Sequence, residues 1–247
     1  MKNVLCVFIS AAFLVFSLIL FDRLEASYER DSHTAVCERD LYIFHGRAPL
    51  LYIPAGANYG YQGTNEGCEE IAARYERYAE QGYLGAQYAL GILYDEGVCK
   101  QRDYAKAADL YLDPAIQGYP EAQFRLGVLY AEGHGVTRDY SEAASWFRKS
   151  AEQGNPFARY GLGLHYDNGW GVPKDDTEAF KWYRKAAEQG IAPAQNNLGV
   201  MYQEGRGTPE DAAIASLWYE QAARQGNAAA AYNLDLLGCG YGNSNGH

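Results

Sequence analysis

Asp175-Asp176-Thr177-Glu178-Ala179-Phe180-Lys181-Trp182-Tyr183-Arg184-Lys185-Ala186-Ala187-Glu188-Gln189-Gly190 is the stretch on which the fold turns. Ala179, Trp182, Tyr183, Ala186, Ala187 and Gly190 recur at steps of three and four, which lays one apolar stripe along a helix. Asp175 stands where an N-cap belongs, and Glu178 follows three residues later as the partner of a capping box. Gly190 stops the helix, because the residue after the last turn takes a left-handed conformation that glycine reaches without a Cβ clash.

A second helix follows, Ala194-Gln195-Asn196-Asn197-Leu198-Gly199-Val200-Met201-Tyr202. Gly199 in its middle costs about 1 kcal/mol in propensity, so a neighbouring helix approaching closely is the expected compensation. A turn of the form Gly-x-Gly-Val precedes the next pair in two copies, Gly133-His134-Gly135-Val136 and Gly169-Trp170-Gly171-Val172.

The unit repeats. Gln-Gly dipeptides stand at Gln81, Gln117, Gln153, Gln189 and Gln225, 36 residues apart each time. Leu-Gly pairs at Leu90, Leu126, Leu162 and Leu198 keep the same register, as do Tyr94, Tyr130, Tyr166 and Tyr202. Periods of this length mean stacked helical or strand units, and here the unit is a helix pair. The fold expected is all-α, an α/α solenoid of about five 36-residue helix-turn-helix repeats over residues 68–239. Trp146, Trp182 and Trp218, with Tyr111, Phe147, Tyr183 and Tyr219, recur at packing positions and are expected in the core. Two departures stand out. Pro114 is expected to kink its helix near the end, and Asp235 replaces the mid-helix glycine in the last copy, as suits a more polar terminal repeat.

The first helix, with its Trp-Tyr-x-Lys-Ala-Ala-x-Gln-Gly pattern, resembles the Sel1-like repeat family, relatives of the tetratricopeptide repeats. The resemblance covers about residues 68 to 238. It implies a right-handed superhelix serving as an adaptor in protein assemblies. Fold alone does not fix function.

Outside the repeats, Lys2 and the uncharged run Val4 to Phe21, ended by Asp22 and Arg23, read as an export signal over residues 1–26. An uncleaved N-terminal membrane anchor is the alternative, with membrane contact only in that case. Either way the rest of the chain is expected outside the cytoplasm, periplasmic or secreted. Residues 27–67 form a non-repeat segment without a family reading, and residues 240–247 a disordered tail. Cys37, Cys68, Cys99 and Cys239 then meet an oxidising compartment. Cys68 opens the first helix of its repeat and Cys99 lies just past the second, and an antiparallel pair brings those points together. A Cys68–Cys99 disulfide is expected, with Cys37 and Cys239 free or intermolecular.

Two surface features attract attention. Arg148, Lys149, Lys181, Arg184 and Lys185 gather on consecutive first helices of a chain whose net charge is -10. They form either a docking strip for an acidic peptide or an anionic polymer, or a solvated face held by weak pairs such as Arg184 with Glu188. His134, Trp170 and Arg206 fill one loop position in three successive turns, a candidate recognition edge rich in hot-spot residue types. His165, at an apolar second-helix position, is expected to be a core residue.

The acidic balance argues against a nucleic-acid partner. No close Cys/His ligand spacing points to a metal, no cofactor fingerprint is present, and catalytic signatures are missing. The Sel1-like resemblance brings with it an association with β-lactams, but after Ser145 the lysine comes at Lys149, one residue too far for Ser-x-x-Lys. The expectation is an exported, non-catalytic adaptor that binds a protein or peptide through the groove of its repeats. The alternatives are a periplasmic hydrolase or small-ligand binder acting on β-lactams or cell-wall fragments, and a structural accessory subunit of an envelope machine such as a flagellar motor.

Overall fold

The computed structural model describes residues 65–242. The expected export signal, nearly all of segment 27–67, Cys37, the Cys239 side chain and residues 243–247 lie outside the described residues. Among the described residues there are ten helices and no strand. They are α1 (Asn65–Glu80), α2 (Leu84–Glu96), α3 (Tyr104–Ile116), α4 (Pro120–Glu132), α5 (Tyr140–Glu152), α6 (Pro156–Asn168), α7 (Asp176–Glu188), α8 (Ala192–Glu204), α9 (Ala212–Arg224) and α10 (Ala228–Gly242). Each packs on its neighbours in chain order, which is the solenoid expected from the period. Helix α10 continues to Gly242, into the stretch expected to be tail.

The first helices start as their sequences dictate, with one change to the expected device. Asp175 Oδ1 accepts from Thr177 N and Glu178 N at 2.9 and 3.0 Å, and Asp139 does the same for Ser141 and Glu142. The reciprocal bond of a capping box does not form. The N–H of Asp175 donates instead to the Tyr166 carbonyl at 3.0 Å, and Asp103, Asp139 and Asp211 bond to Tyr94, Tyr130 and Tyr202 in the same way. Backbone from the preceding second helix therefore fills the role of the glutamate. Glu178 is left to pair with Lys181 at 2.7 Å.

Between repeats, an aromatic ring packs against a glycine. A Cβ added at Gly91, Gly127 or Gly199 would sit 2.6, 2.7 or 2.6 Å from the rings of Tyr111, Phe147 and Tyr219 respectively, and Tyr183 crowds Gly163 similarly. So the close approach implied by the mid-helix glycine is made by one side chain from the following first helix. Tyr111, Tyr183 and Tyr219 are fully buried, and Phe147 nearly so. Their hydroxyls reach back sixteen residues: Tyr111 to Asp95 Oδ2 (3.0 Å), Tyr183 to Asp167 Oδ2 (3.2 Å), Tyr219 to Gln203 Oε1 (2.7 Å). Where the ring is Phe147, the matching residue is Ala131. A buried hydroxyl needs a partner and a bare ring does not. On α10 the position of this glycine is held by Asp235.

The tryptophans add the second contact. Trp146 packs into the α3–α4 cluster of Ala107, Ala108, Tyr111 and Leu126, and Trp182 and Trp218 pack in the same way on the preceding repeats. Trp146 is buried, while Trp182 and Trp218 are half-buried. The Gln-Gly glutamines lie in polar ladders: Gln153 donates to Gln123 Oε1 (2.8 Å) and Gln225 to Gln195 Oε1 (2.7 Å). Gln123 and Gln195 in turn donate to the carbonyls of Ala115 and Ala187. Pro114 stands where α5 has Ser150, whose hydroxyl bonds the Pro120 carbonyl. Helix α3 still spans thirteen residues, as its counterparts do.

The Cys68–Cys99 disulfide is present, with Cα atoms 4.9 Å apart. In the next three repeats the same two places hold Tyr104 with Gly135, Tyr140 with Gly171, and Asp176 with Gly207. There the glycine lies so close to the opposing backbone that a Cβ would collide with it. Cys99 keeps the left-handed backbone of this turn, φ 59, and is the one non-glycine residue among those described to do so.

Two stability measurements follow. Gly199→Ala is expected to lower stability by about 1–3 kcal/mol through overpacking against Tyr219. Gly238→Ala in α10, with nothing within 4 Å, should raise it by up to about 1 kcal/mol; urea melts of the two variants read the contrast. Breaking the disulfide closes one route to about 3–4 kcal/mol of loop-entropy stabilisation. Cys68→Ser/Cys99→Gly should therefore melt below the parent, but above Cys68→Ser/Cys99→Ser, because serine must hold a left-handed φ.

Candidate functional site

The five expected cations split by position. Lys149, Lys181 and Lys185 are exposed on the outward face of α5 and α7. Lys149 Nζ lies 3.8 Å from the Trp146 ring centroid and Lys185 Nζ 4.1 Å from that of Trp182, two cation–π contacts repeated 36 residues apart. Among the described residues no carboxylate comes within ion-pair distance of either lysine. Lys181 is paired with Glu178, which raises its pKa through the hydrogen bond and its charge. Arg148 turns aside, donating to the Tyr166 hydroxyl at 2.7 Å. Arg184 is exposed and lies 3.6 Å from Glu188, the helical pair expected for a solvated face. Lys149 and Lys185 thus carry no ion pair, while Lys181, Arg184 and Arg148 are each engaged by a neighbour.

The loop row lies elsewhere. Its members lean on the N-terminal turns of the first helices, whereas Lys149 and Lys185 stand in the last turns. Nine residues of helix, about 14 Å of rise, separate Tyr140 from Lys149. His134 stacks on Tyr104 at 4.6 Å between centroids and lies 2.9 Å from Glu132. Trp170 stacks on Tyr140 at 5.7 Å and is 41% exposed. Arg206 reaches Asp167 (2.6 Å), Asp176 (3.3 Å) and Glu204 (2.7 Å), joining three segments. Val98, also exposed, holds the same position in the first repeat and completes the row. Each of the three expected residues thus docks its turn on the first helix of the same repeat.

His165 is a core residue, 2% exposed, with Phe147, Tyr140 and Trp170 edge-on around it. Its Nδ1–H donates to the Trp170 carbonyl at 2.7 Å. A cluster the sequence reading passed over joins α2, α3 and α4: Arg125 Nη1 bonds Asp95 Oδ2 (3.0 Å) and Glu96 Oε1 (2.8 Å), and Tyr111 shares Asp95. Burial holds the Asp95 carboxyl above its ordinary value, with the Arg125 charge acting the other way. The signal was Arg125 itself, standing in the register of Gly161 and Asn197. All of its groups are satisfied within the protein, so the cluster fastens helices. Among the described residues no group of three or more His, Cys, Asp or Glu is placed to hold a metal ion.

Burial holds the His165 pKa below its ordinary 6.5, with the Trp170 hydrogen bond acting the other way. The unfolded chain then binds a proton where the folded chain does not, so stability is lost as pH falls below the unfolded value. His165→Met, which installs the residue that α8 carries at Met201, is expected to flatten the fall in urea midpoint between pH 7 and about pH 5.

The Sel1 repeat profile matches residues 85–112, 120–155, 156–191 and 192–227, covering more than half of the chain. Each complete match spans a second helix and the next first helix, the pairs that pack most extensively and share the ring-on-glycine contact. The chain is similar to the crystal structure of c5321, a protective antigen of uropathogenic Escherichia coli displaying an SLR fold. Identity is 38% over 70% of this chain and 41% of that one, with a TM-score of 0.63. It is also similar to a Sel1 repeat protein from Oxalobacter formigenes, with 32% identity over 69% of this chain and 75% of that one, TM-score 0.59. Comparison with curated proteins gives no match. On the matched repeats, the helix pairs and these relatives, the chain belongs to the Sel1 repeat family.

Proposed function

We propose that this chain is an exported, non-catalytic adaptor that holds a protein or peptide segment against the outward face of its first helices. The observation that carries the reading is the pair of unneutralised lysines, Lys149 and Lys185, each seated on a tryptophan, with Lys181 beside them in a chain of net charge -10. The rings hold the ammonium groups in place without neutralising them, and a preorganised surface loses less entropy when a partner arrives. A rigid stack of repeats supplies such a surface over several helices. Export is supported by Lys2 with the uncharged run Val4 to Phe21, and by a disulfide, which persists in oxidising compartments. Arg148 and Arg184 flank the lysines on α5 and α7, and the loop row His134, Trp170 and Arg206 lies about 14 Å away toward the N-terminal ends of the first helices, outside this surface.

A crosslinking pulldown from the exported fraction tests this, comparing the tagged chain with Lys149→Glu/Lys181→Glu/Lys185→Glu. Capture is expected to drop at least tenfold in the variant while its helical circular dichroism stays unchanged. Equal capture by both removes the lysine face as the site. The mass of the recovered chain reports in the same experiment whether residues 1–26 have been removed.

A further inference from the structure

Successive first helices carry different chemistry on one register line. The two positions at the centre of the outward face, four residues apart, are Asp109 and Asp113 on α3, and Ser145 and Lys149 on α5. They are Lys181 and Lys185 on α7, and Leu217 and Gln221 on α9. All are exposed except the half-buried Ser145, and Leu217 is 56% exposed although it is a leucine. From α3 to α9 the line therefore runs from acidic through basic to apolar, and on α1 the same two positions are the exposed Ala73 and Arg77. One position on the buried side of the same helices is constant: Ala107, Ala143, Ala179 and Ala215 are all 0% exposed. Packing demands thus fix that position and leave the outer order unexplained.

Resting on the adaptor reading above, we infer that this face selects an extended peptide segment by the order of its charges. A cationic residue lies over Asp109 and Asp113, anionic residues over Lys149, Lys181 and Lys185, and an apolar residue against Leu217. First helices of neighbouring repeats share an apolar cluster through Trp146, and an interhelical step is about 8–10 Å. An extended chain advances about 3.3 Å per residue, so the contacting side chains fall about three residues apart. The segment has the form cation-x-x-anion-x-x-anion-x-x-apolar, read in one of its two chain directions. Like charges brought together at any step are repelled, so the order excludes wrong segments as well as admitting the right one. A uniformly acidic peptide meets Asp109 and Asp113 and is disfavoured there.

The test uses synthetic ten-residue peptides with Gly-Ser spacers, carrying one Arg, two Glu and one Leu in every order at three-residue spacing. Fluorescence anisotropy at low salt measures binding to the full chain. The Arg-Glu-Glu-Leu order or its reverse is expected to bind at least fivefold tighter than the other orders. Asp109→Lys/Asp113→Lys should shift the preference to a Glu-Glu-Glu-Leu peptide. Loss of all binding in Lys149→Glu/Lys181→Glu/Lys185→Glu, together with order-independent binding to the parent, overturns the charge order and leaves the adaptor face standing. Binding that ignores the lysine substitutions overturns both. No binding to any order overturns the inference, as does a dimer, seen by light scattering, that the Asp109 and Asp113 substitutions abolish, since a second copy would then occupy the face.

Discussion

An aromatic ring set against a backbone glycine governs how far apart successive helix pairs stand. Tyr111, Phe147, Tyr183 and Tyr219 each press on the glycine of the preceding second helix, where a single methyl group would already collide. The glycine gives up helix propensity, about 1 kcal/mol, and the burial of an aromatic side chain outweighs it. Because the contact is repeated with the same 36-residue spacing, each interface has nearly the same geometry, and repetition of one geometry makes a solenoid. The tryptophans and the glutamine ladders are arranged around this contact.

The polar groups follow the same logic of one demand per interface. A hydroxyl on the ring needs an acceptor sixteen residues back, and Asp95, Asp167 and Gln203 supply it; Phe147 needs none and faces Ala131. The N-cap aspartates spend their own N–H groups on the carbonyls of Tyr94, Tyr130, Tyr166 and Tyr202, which ties each turn to the helix it leaves. At the first repeat a covalent bond replaces a glycine contact: Cys68–Cys99 stands where other copies press Gly135, Gly171 or Gly207 onto backbone. A cross-link there limits the unfolded states of that repeat.

The inner faces vary at a few packed positions, such as Pro114 and Ser150 or His165 and Met201, while the outer face varies in charge from helix to helix. Lysines seated on tryptophans, the acidic pair on α3 and the exposed Leu217 all stand on surfaces that packing leaves unconstrained. The loop row shows the opposite case. His134, Trp170 and Arg206 are each drawn onto the first helix of their own repeat by a ring or a carboxylate.

The sequence by itself determined the period, the helix pair, the caps and the Cys68–Cys99 pairing, because these depend on local spacing and on a register that five copies repeat. Its boundaries between repeats were less well placed. The most extensive packing joins a second helix to the next first helix, across the turn rather than within the pair. Only the tertiary structure decided what the mid-helix glycine receives, since Gly91 and Tyr111 lie twenty residues apart and no local rule links them. It also decided that Glu178 serves Lys181 rather than the cap, that Arg148 is occupied by Tyr166, and that Arg125 binds two carboxylates. Each of these depends on which groups meet across helices, and a linear pattern specifies a face without specifying its neighbour.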